Sequence, residues 1–223
     1  MACFQGFTKG FKKDPRLAIK QAEQFDFHLR FDMNKQGLKL GAQLGRGTYG
    51  TAYKATRINS GKGTVCVKIP LNLELRGKDV VSGSLKKEIR CLQYLHSKGN
   101  QKDFRVELDS IVEPIMTEVK LFQNEPVLVT KCYSFTLLDL IYNEKADVSD
   151  MQWSHFFRCL LRAVSFLHRK GVYHRDLKPD NIMVEEKKAA GNGRYCPVII
   201  DFGFVNTPAG PLGTPGYLAP EAF

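Results

Sequence analysis

The pattern of apolar and polar residues predicts three short strands in the first third of the chain. Apolar and β-branched residues cluster at residues 38–44, 51–58 and 64–69, and glycine-containing segments separate the three clusters. Strands joined by such short segments pair with their neighbours in an antiparallel arrangement. We therefore expect a small antiparallel sheet here.

Two later segments have the three- and four-residue spacing of apolar residues that is typical of an amphipathic helix. The first covers residues 84–97 and is expected to end near Gly99, and the second covers residues 149–170 and is followed by Gly171. The apolar residues are Leu85, Ile89, Leu92 and Leu95 in the first helix, and Phe156, Leu160, Val164 and Leu167 in the second.

The other segments predict short strands, one further helix and irregular chain. A helix is expected to begin near Thr136. The polar, glycine-containing stretch 185–194 is predicted to be a surface loop, and residues 203–223, which contain four Pro and four Gly, are predicted to be irregular. The predicted strands are residues 111–121, 126–131, 182–184 and 197–200.

Composition indicates a folded domain with a basic surface. The 223 residues are 43% hydrophobic and 25% charged, as in ordinary globular proteins, and the net charge of +10 favours anionic partners. The sequence contains no run of about 18 apolar residues, so it predicts no membrane span. The six cysteines form no C-x-x-C pair, so we expect reduced thiols and a cytoplasmic protein.

A glycine-rich segment lies between the first two predicted strands. Gly45, Gly47 and Gly50 form a G-x-G-x-x-G pattern, in which backbone amides can approach phosphate oxygens because no Cβ obstructs them. A glycine-rich hairpin without a ligand would have the same pattern. Since a strand rather than a helix follows, a dinucleotide-binding turn is excluded and a phosphate cover is favoured.

Lys68 ends an otherwise apolar predicted strand, and Glu88 lies in the first amphipathic helix. A carboxylate that reaches from helix to strand can hold an ammonium group against phosphates. Each residue also has a simpler interpretation, because Lys68 could face solvent and Glu88 could pair with Arg or Lys on a solvated helix face. The spacing of Lys68 and Glu88 does not decide between an ion pair that binds phosphates and these simpler interpretations.

Functional side chains are dense after the long predicted helix. Asp176 can accept a proton from a hydroxyl, Lys178 can neutralise a migrating phosphoryl group, and Asn181 can ligate a hard metal ion. Asp201 follows an apolar strand, where its carboxylate can hold a metal ion that bridges two phosphates. The alternative, a polar turn that only caps a neighbouring element, would not explain why so many functional side chains occur within six residues.

Together these motifs resemble the eukaryotic-type protein kinase family over residues 38–221. The resemblance implies an α+β, two-lobed kinase-like fold with a truncated, mainly helical C-lobe, and ATP- and Mg²⁺-dependent transfer of the γ-phosphoryl group to a serine or threonine of a protein substrate. The implied roles are phosphate binding by Lys68, anchoring of Lys68 by Glu88, catalytic base for Asp176, assistance at the γ-phosphate by Lys178, and magnesium binding by Asn181 and Asp201.

The resemblance also implies an adenine pocket. Thr130 would be the gatekeeper at its back, and the hinge Lys131 to Tyr133 would hydrogen-bond adenine. The roof would be formed by Cys66 with Ala52 nearby, and the floor by Met183. Thr214 is similar to the threonine of the serine/threonine branch, and we expect it to be structural.

By the same resemblance the chain divides into an N-terminal extension (1–36), an N-lobe (37–131) and a C-lobe (132–223). An Asp-Pro pair predicts a helix over residues 16–25 within the extension. The family normally continues with further helices, so we expect an exposed apolar patch on the C-lobe that fits an activating partner. The extent is similar to that of compact bacterial effector kinases, which would place the chain in a host cytosol.

Three other functions stay open at this point. The chain could be a pseudokinase-like interaction module, in which ATP only stabilises a surface that binds another protein. It could be a fragment or a partner-activated kinase that is inactive alone. Nucleic-acid binding, which the charge permits, ranks last because no basic patch interleaved with aromatic residues is present.

Overall fold

A computed structural model describes residues 29–47, 50–58, 63–70, 78–116, 126–143, 148–188, 193–206 and 213–220. The predicted helix over residues 16–25 lies outside these residues. Within the part that is described, no helix is both long and apolar enough to cross a membrane.

The first lobe is built on a five-stranded antiparallel sheet with the order β1-β2-β3-β5-β4. The strands predicted first along the chain are confirmed, and residues 29–35 form a helix (α1) whose Leu29 and Met33 are buried against the apolar side of the sheet. Burying these side chains with Val67 and Val129 stabilises the sheet. The strands are β1 (Leu38–Arg46), β2 (Gly50–Arg57), β3 (Thr64–Pro70), β4 (Pro114–Met116) and β5 (Leu128–Lys131).

The predicted first amphipathic helix is present and longer than expected, as α2 (Lys78–Leu95). All four of its predicted apolar residues are buried, because their spacing places them on one face. The helix ends at Leu95, two residues before the predicted end and four residues before Gly99. Gly99 lies in α3 (Lys98–Asp103), which precedes α4 (Arg105–Leu108), and the apolar pattern predicted neither of these short helices.

Two capped helices begin the second lobe. Thr136 is the N-cap of α5 (Leu137–Tyr142), as predicted, and Ser149 is the N-cap of α6 (Asp150–Arg169). Each hydroxyl accepts a backbone hydrogen bond from the third residue of its helix, which satisfies an otherwise unpaired amide. The buried side of α6 includes the predicted Phe156 and Leu167, with Ala163 and Phe166 between them.

Residues 185–188 and 193–194, which were predicted to be part of a surface loop, lie in strands, and residues 189–192 are outside the described residues. Strands β7 (Ile182–Lys188) and β8 (Gly193–Ile199) pair antiparallel, with β6 (Phe135–Thr136) on the other side of β7. The loop prediction was wrong for residues 185–188 and 193–194, because a strand ladder is formed by backbone groups and does not require apolar side chains.

The segment before β4 joins the end of β8. The Ile199 amide donates to the Ser110 carbonyl at 2.9 Å, and the Val112 amide donates to the Ile199 carbonyl at 3.0 Å. The strand predicted at residues 111–121 is therefore split into this bridge and β4, and residues 117–121 lie outside the described chain. These bonds connect the first lobe to the strand that leads to Asp201.

Candidate active site

Lys68, Glu88 and Asp201 form one cluster at the junction of the lobes. The Lys68 ammonium donates to Glu88 Oε2 at 2.8 Å and to Asp201 Oδ1 at 2.6 Å. The other oxygen of Glu88 accepts the Phe202 backbone amide at 3.1 Å, and the Glu88 side chain is only 2% exposed. Neither simpler interpretation holds, because Lys68 does not face solvent and Glu88 is not on a solvated helix face.

The charges of this cluster stabilise one another. Burial lowers the pKa of Lys68, but the two carboxylates outweigh burial and raise it above its ordinary value. Burial raises the pKa of Asp201, whereas the Lys68 ammonium beside it brings the net shift below the ordinary value. For Glu88 burial is the largest effect, and its pKa is raised despite Lys68.

The backbone after β8 adopts a strained turn that directs the Asp201 carboxylate towards Lys68. Asp201 has a φ of 61°, in the left-handed region, and its Oδ1 accepts the Gly203 amide at 3.3 Å. Phe202 is fully buried, and the Ser84 hydroxyl donates to the Gly203 carbonyl at 2.9 Å. Helix α2 therefore holds this turn through both Ser84 and Glu88.

A second cluster surrounds Asp176. Asn181 donates through Nδ2 to the Asp176 carbonyl at 2.8 Å and to its Oδ2 at 2.9 Å. The Thr214 hydroxyl donates to Asp176 Oδ1 at 2.7 Å and accepts from the Lys178 ammonium at 2.7 Å. Lys178 also lies 3.4 Å from Asp176 Oδ2. Thr214 is thus a member of the cluster, in contact with two of the predicted catalytic residues.

His174 connects the two clusters, and the motif analysis gave it no role. Its Nε2–H donates to the Ile200 carbonyl at 2.8 Å, and its Nδ1 accepts the Asp176 amide at 3.3 Å. Its ring packs edge to face on Phe202, with centroids 4.9 Å apart. Burial lowers the pKa of His174, so the imidazole is neutral, as these two bonds require. The sequence indicated a role for His174 only through its position two residues before Asp176.

The glycine-rich segment lies over Lys68. A Cβ at Gly50 would be 2.9 Å from the Ile69 carbonyl oxygen and 3.2 Å from the Cγ of Lys68, so only glycine fits without a shift. The Gly47 amide donates to the Gly50 carbonyl at 2.9 Å, and Gly45 is paired with Ala52. The positions between Gly47 and Gly50 lie outside the described residues.

The predicted adenine-pocket residues divide into two groups. Cys66 is paired with Thr130 across β3 and β5, and burial raises the pKa of the Cys66 thiol to about 11. Ala52 is paired with Lys68 on the neighbouring strand, and half-buried Met183 lies on β7, paired with Val198. These four residues lie on paired strands, whereas the hinge residues Lys131 and Tyr133 make side-chain contacts on another surface.

The Lys131 ammonium binds Glu185 and lies 5.5 Å from the centroid of the Tyr133 ring. Burial, with three nearby carboxylates, raises the pKa of Tyr133. Both side chains line a cavity to which neither Lys68 nor Asp176 contributes. The predicted contact of the hinge with adenine does not depend on these two side chains, because backbone groups of the hinge can make it.

Comparisons with known proteins agree with this geometry. A family model described as "Protein kinase domain" matches residues 38–223. The chain is 30% identical over 162 residues to Calcium-dependent protein kinase 19 of Arabidopsis thaliana, which covers 73% of this chain and 27% of that protein. It is 28% identical over 216 residues to CBL-interacting serine/threonine-protein kinase 19 of Arabidopsis thaliana, covering 92% of this chain and 39% of the relative.

The chain is also 30% identical over 192 residues to CTD kinase subunit alpha of Saccharomyces cerevisiae, covering 86% of this chain and 30% of that protein. Across these three relatives, the chain spans between 27% and 39% of their length.

Proposed function

The chain belongs to the protein kinase family, and from that premise we propose that it transfers the γ-phosphoryl group of ATP to a serine or threonine hydroxyl of a protein. The observation that carries the proposal is the hydrogen-bonded group of Asp176, Thr214, Lys178 and Asn181 beside the ion pairs of Lys68. Every side chain needed to orient a hydroxyl and to neutralise phosphate charge is present in this group.

Asp176 is the proposed base for the substrate hydroxyl. Asn181 and Thr214 each hold one of its carboxylate oxygens, so the orientation of the carboxylate is fixed before a substrate arrives. Lys178 lies next to the same carboxylate and supplies positive charge where a phosphoryl group would pass. Preorganised charge of this kind lowers a barrier because little reorganisation is needed during the reaction.

Lys68 is the proposed ligand of the nucleotide phosphates, under the glycines of the β1–β2 turn. Glu88 fixes the position of its ammonium from α2, and Gly50 leaves the space above it open. The hinge backbone at residues 131–133, between the proposed lobes 37–131 and 132–223, is the proposed contact for adenine. Cys66, Ala52, Thr130 and Met183 are the proposed surroundings of that base.

The residues proposed for magnesium fit a hard divalent cation. Asn181 uses only its Nδ2 in hydrogen bonds, and no described residue donates to its Oδ1 or to Asp201 Oδ2. Carboxylate and amide oxygens are the ligands that Mg²⁺ prefers. When bound, the ion would supply charge neutralisation on the phosphate oxygens.

Phosphate transfer from labelled ATP with Mg²⁺, to a panel of proteins and to the chain itself, tests the proposal. We expect label from the wild type, a loss of at least about 100-fold in Asp176→Asn, and a comparable loss in Lys68→Met. Glu186→Gln, which removes an exposed carboxylate on β7, is the matched control and should keep the wild-type rate.

Saturable ATP binding without transfer, equal in the wild type and Asp176→Asn, would contradict the proposal. It would favour the interaction module that the sequence left open. A circular dichroism spectrum of each variant separates loss of chemistry from loss of fold.

A further inference from the structure

One buried hydroxyl of α2 contacts the turn that carries Asp201 and has no part in the proposed phosphate transfer. Ser84 lies about one helical turn before Glu88, and the residue is 9% exposed. Its hydroxyl donates to the Gly203 carbonyl at 2.9 Å, although 119 positions separate the two residues. A serine inside a helix often bonds to the carbonyl four residues before it. Because a hydroxyl has a single proton, Ser84 uses that proton for a tertiary contact instead.

The turn after Asp201 needs neighbouring groups to hold it. The φ of 61° at Asp201 is strained for a residue with a side chain, and such strain persists only where the surroundings fix it. From α2, Glu88 accepts the Phe202 amide and Ser84 donates to the Gly203 carbonyl. These two bonds hold the first and the last backbone group of the Phe202–Gly203 dipeptide. Helix α2 therefore fixes both ends of the segment that follows Asp201.

The direction of the Asp201 carboxylate depends on this segment. Asp201 Oδ1 accepts the Gly203 amide at 3.3 Å and the Lys68 ammonium at 2.6 Å. If the Gly203 carbonyl is released, the amide of the same residue can move with it, and Oδ1 then loses one of its two bonds. The Oδ2 atom accepts no hydrogen bond from any described residue and is available to a cation. The position of Oδ2 is thus linked to the bond that Ser84 makes.

We propose that Ser84 is a positioning residue for Mg²⁺-dependent nucleotide binding. By holding the Gly203 carbonyl, its hydroxyl keeps Asp201 in the conformation in which the carboxylate can ligate the cation. The inference rests on the proposed function, in which Asp201 binds magnesium. Ser84 itself lies behind the turn, on α2, and acts through Gly203 and Asp201.

This role affects affinity more than the chemical step. Without the hydroxyl, the turn also populates conformations in which Asp201 cannot reach the cation, and the apparent affinity falls by the fraction that is lost. A bound cation selects the original conformation again, so the saturated complex is nearly unchanged. The fold should be kept in Ser84→Ala, because alanine favours a helix and the apolar face of α2 is untouched.

Calorimetric titration of the full chain with ATP tests the role, once with excess Mg²⁺ and once with excess EDTA. With Mg²⁺ we expect Ser84→Ala to bind at least about fivefold more weakly than the wild type, the lower end of the effect of removing a donor from a buried carbonyl. With EDTA the binding should not weaken, since Lys68 and the glycines are unchanged. Ser84→Thr keeps the hydroxyl and should retain most of the affinity. Ser165→Ala, which removes an exposed hydroxyl of α6, is the matched control.

Hydrogen exchange gives a readout that needs neither nucleotide nor activity. The amides of Phe202 and Gly203 are both bonded within the turn, so they report on its opening. In the free protein we expect both to exchange at least about fivefold faster in Ser84→Ala than in the wild type, by the same reasoning as for affinity. Exchange in Ser165→Ala should equal that of the wild type.

Steady-state kinetics then separate positioning from a general loss of structure. In Ser84→Ala the KM for ATP with Mg²⁺ should rise by the same factor as the dissociation constant, whereas kcat should stay within about twofold. A smaller fraction of folded enzyme would instead lower kcat at an unchanged KM.

Four results would overturn the role of Ser84. They are unchanged exchange of both amides in Ser84→Ala, equal weakening of ATP binding with Mg²⁺ and with EDTA, a lower kcat at an unchanged KM, and a loss in Ser84→Thr as large as that in Ser84→Ala. If the wild type binds ATP without transferring phosphate, the proposed function fails, but titration and exchange still decide whether Ser84 positions Asp201.

Discussion

Thr214 shows how a single hydroxyl can organise charged residues that are distant in sequence. It accepts from the Lys178 ammonium and donates to the Asp176 carboxylate, both at 2.7 Å. A hydroxyl can do both at once because it has one proton and two lone pairs. Asp176, the proposed base, and Lys178, the lysine proposed to assist at the γ-phosphate, are thereby held by one side chain, although 36 positions separate Lys178 from Thr214.

Replacement of Thr214 by valine removes both hydrogen bonds with little change of shape. We expect kcat for phosphate transfer to fall by about 10- to 100-fold, because the Asp176 carboxylate loses its fixed orientation. The KM for ATP should change little, since Lys68 and the glycines are untouched. Thr214→Ser keeps the hydroxyl and should retain most of the activity, and equal losses in both variants would contradict this role.

Among the elements, the loop that carries Asp176 and the turn that carries Asp201 are joined through His174. The imidazole binds the Ile200 carbonyl on one side and the Asp176 amide on the other, and it packs on Phe202. Only the neutral ring can donate from Nε2 and accept at Nδ1. The arrangement of these two loops therefore depends on the protonation state of one buried histidine.

This dependence predicts the effect of pH on stability. Burial holds the pKa of His174 below its ordinary value of 6.5, so below that pH the unfolded chain binds a proton that the folded chain does not. The free energy of unfolding should therefore fall as the pH drops from about 7 to 5. In His174→Gln this slope should be shallower, with a remainder from His96, whose pKa burial also lowers.

Urea unfolding at several pH values measures this slope, and His168→Gln, at an exposed position of α6, is the control. An identical slope in the wild type and His174→Gln would show that His174 is not the group responsible.

Elements and site residues differed in how far the sequence could predict them. Lys68, Glu88 and Asp201 could be found from the sequence because they stand in motifs that resemble those of the protein kinase family. The strand pairing of residues 185–188 could not be predicted from the sequence. These residues are all charged, so they lack the alternation of apolar and polar residues that indicates a strand. The role of Thr214 in the site depends on tertiary contacts, and α3 and α4 are too short for a helical period to appear.

At the scale of the whole molecule, an ion cluster around the buried Glu88 carboxylate joins the two lobes. Lys68 comes from the first sheet, Glu88 from α2, and Asp201 from the end of the β7–β8 hairpin. One ammonium serves two carboxylates, and Glu88 also holds the Phe202 amide. Since an unpaired buried charge is costly, the relative position of the lobes is coupled to the integrity of this cluster.

A double-mutant cycle measures that coupling. Lys68→Met leaves Glu88 and Asp201 without their cation, which should lower the free energy of unfolding by about 3–5 kcal/mol. Asp201→Asn still offers an oxygen to the Gly203 amide but leaves Lys68 with a single carboxylate. In the double variant the charge left at position 201 is gone, so the loss in free energy of unfolding should be smaller than the sum of the single losses by about 0.5–3 kcal/mol. Urea unfolding at pH 7 provides all four values, and strictly additive losses would mean that the lobes are not coupled through this pair.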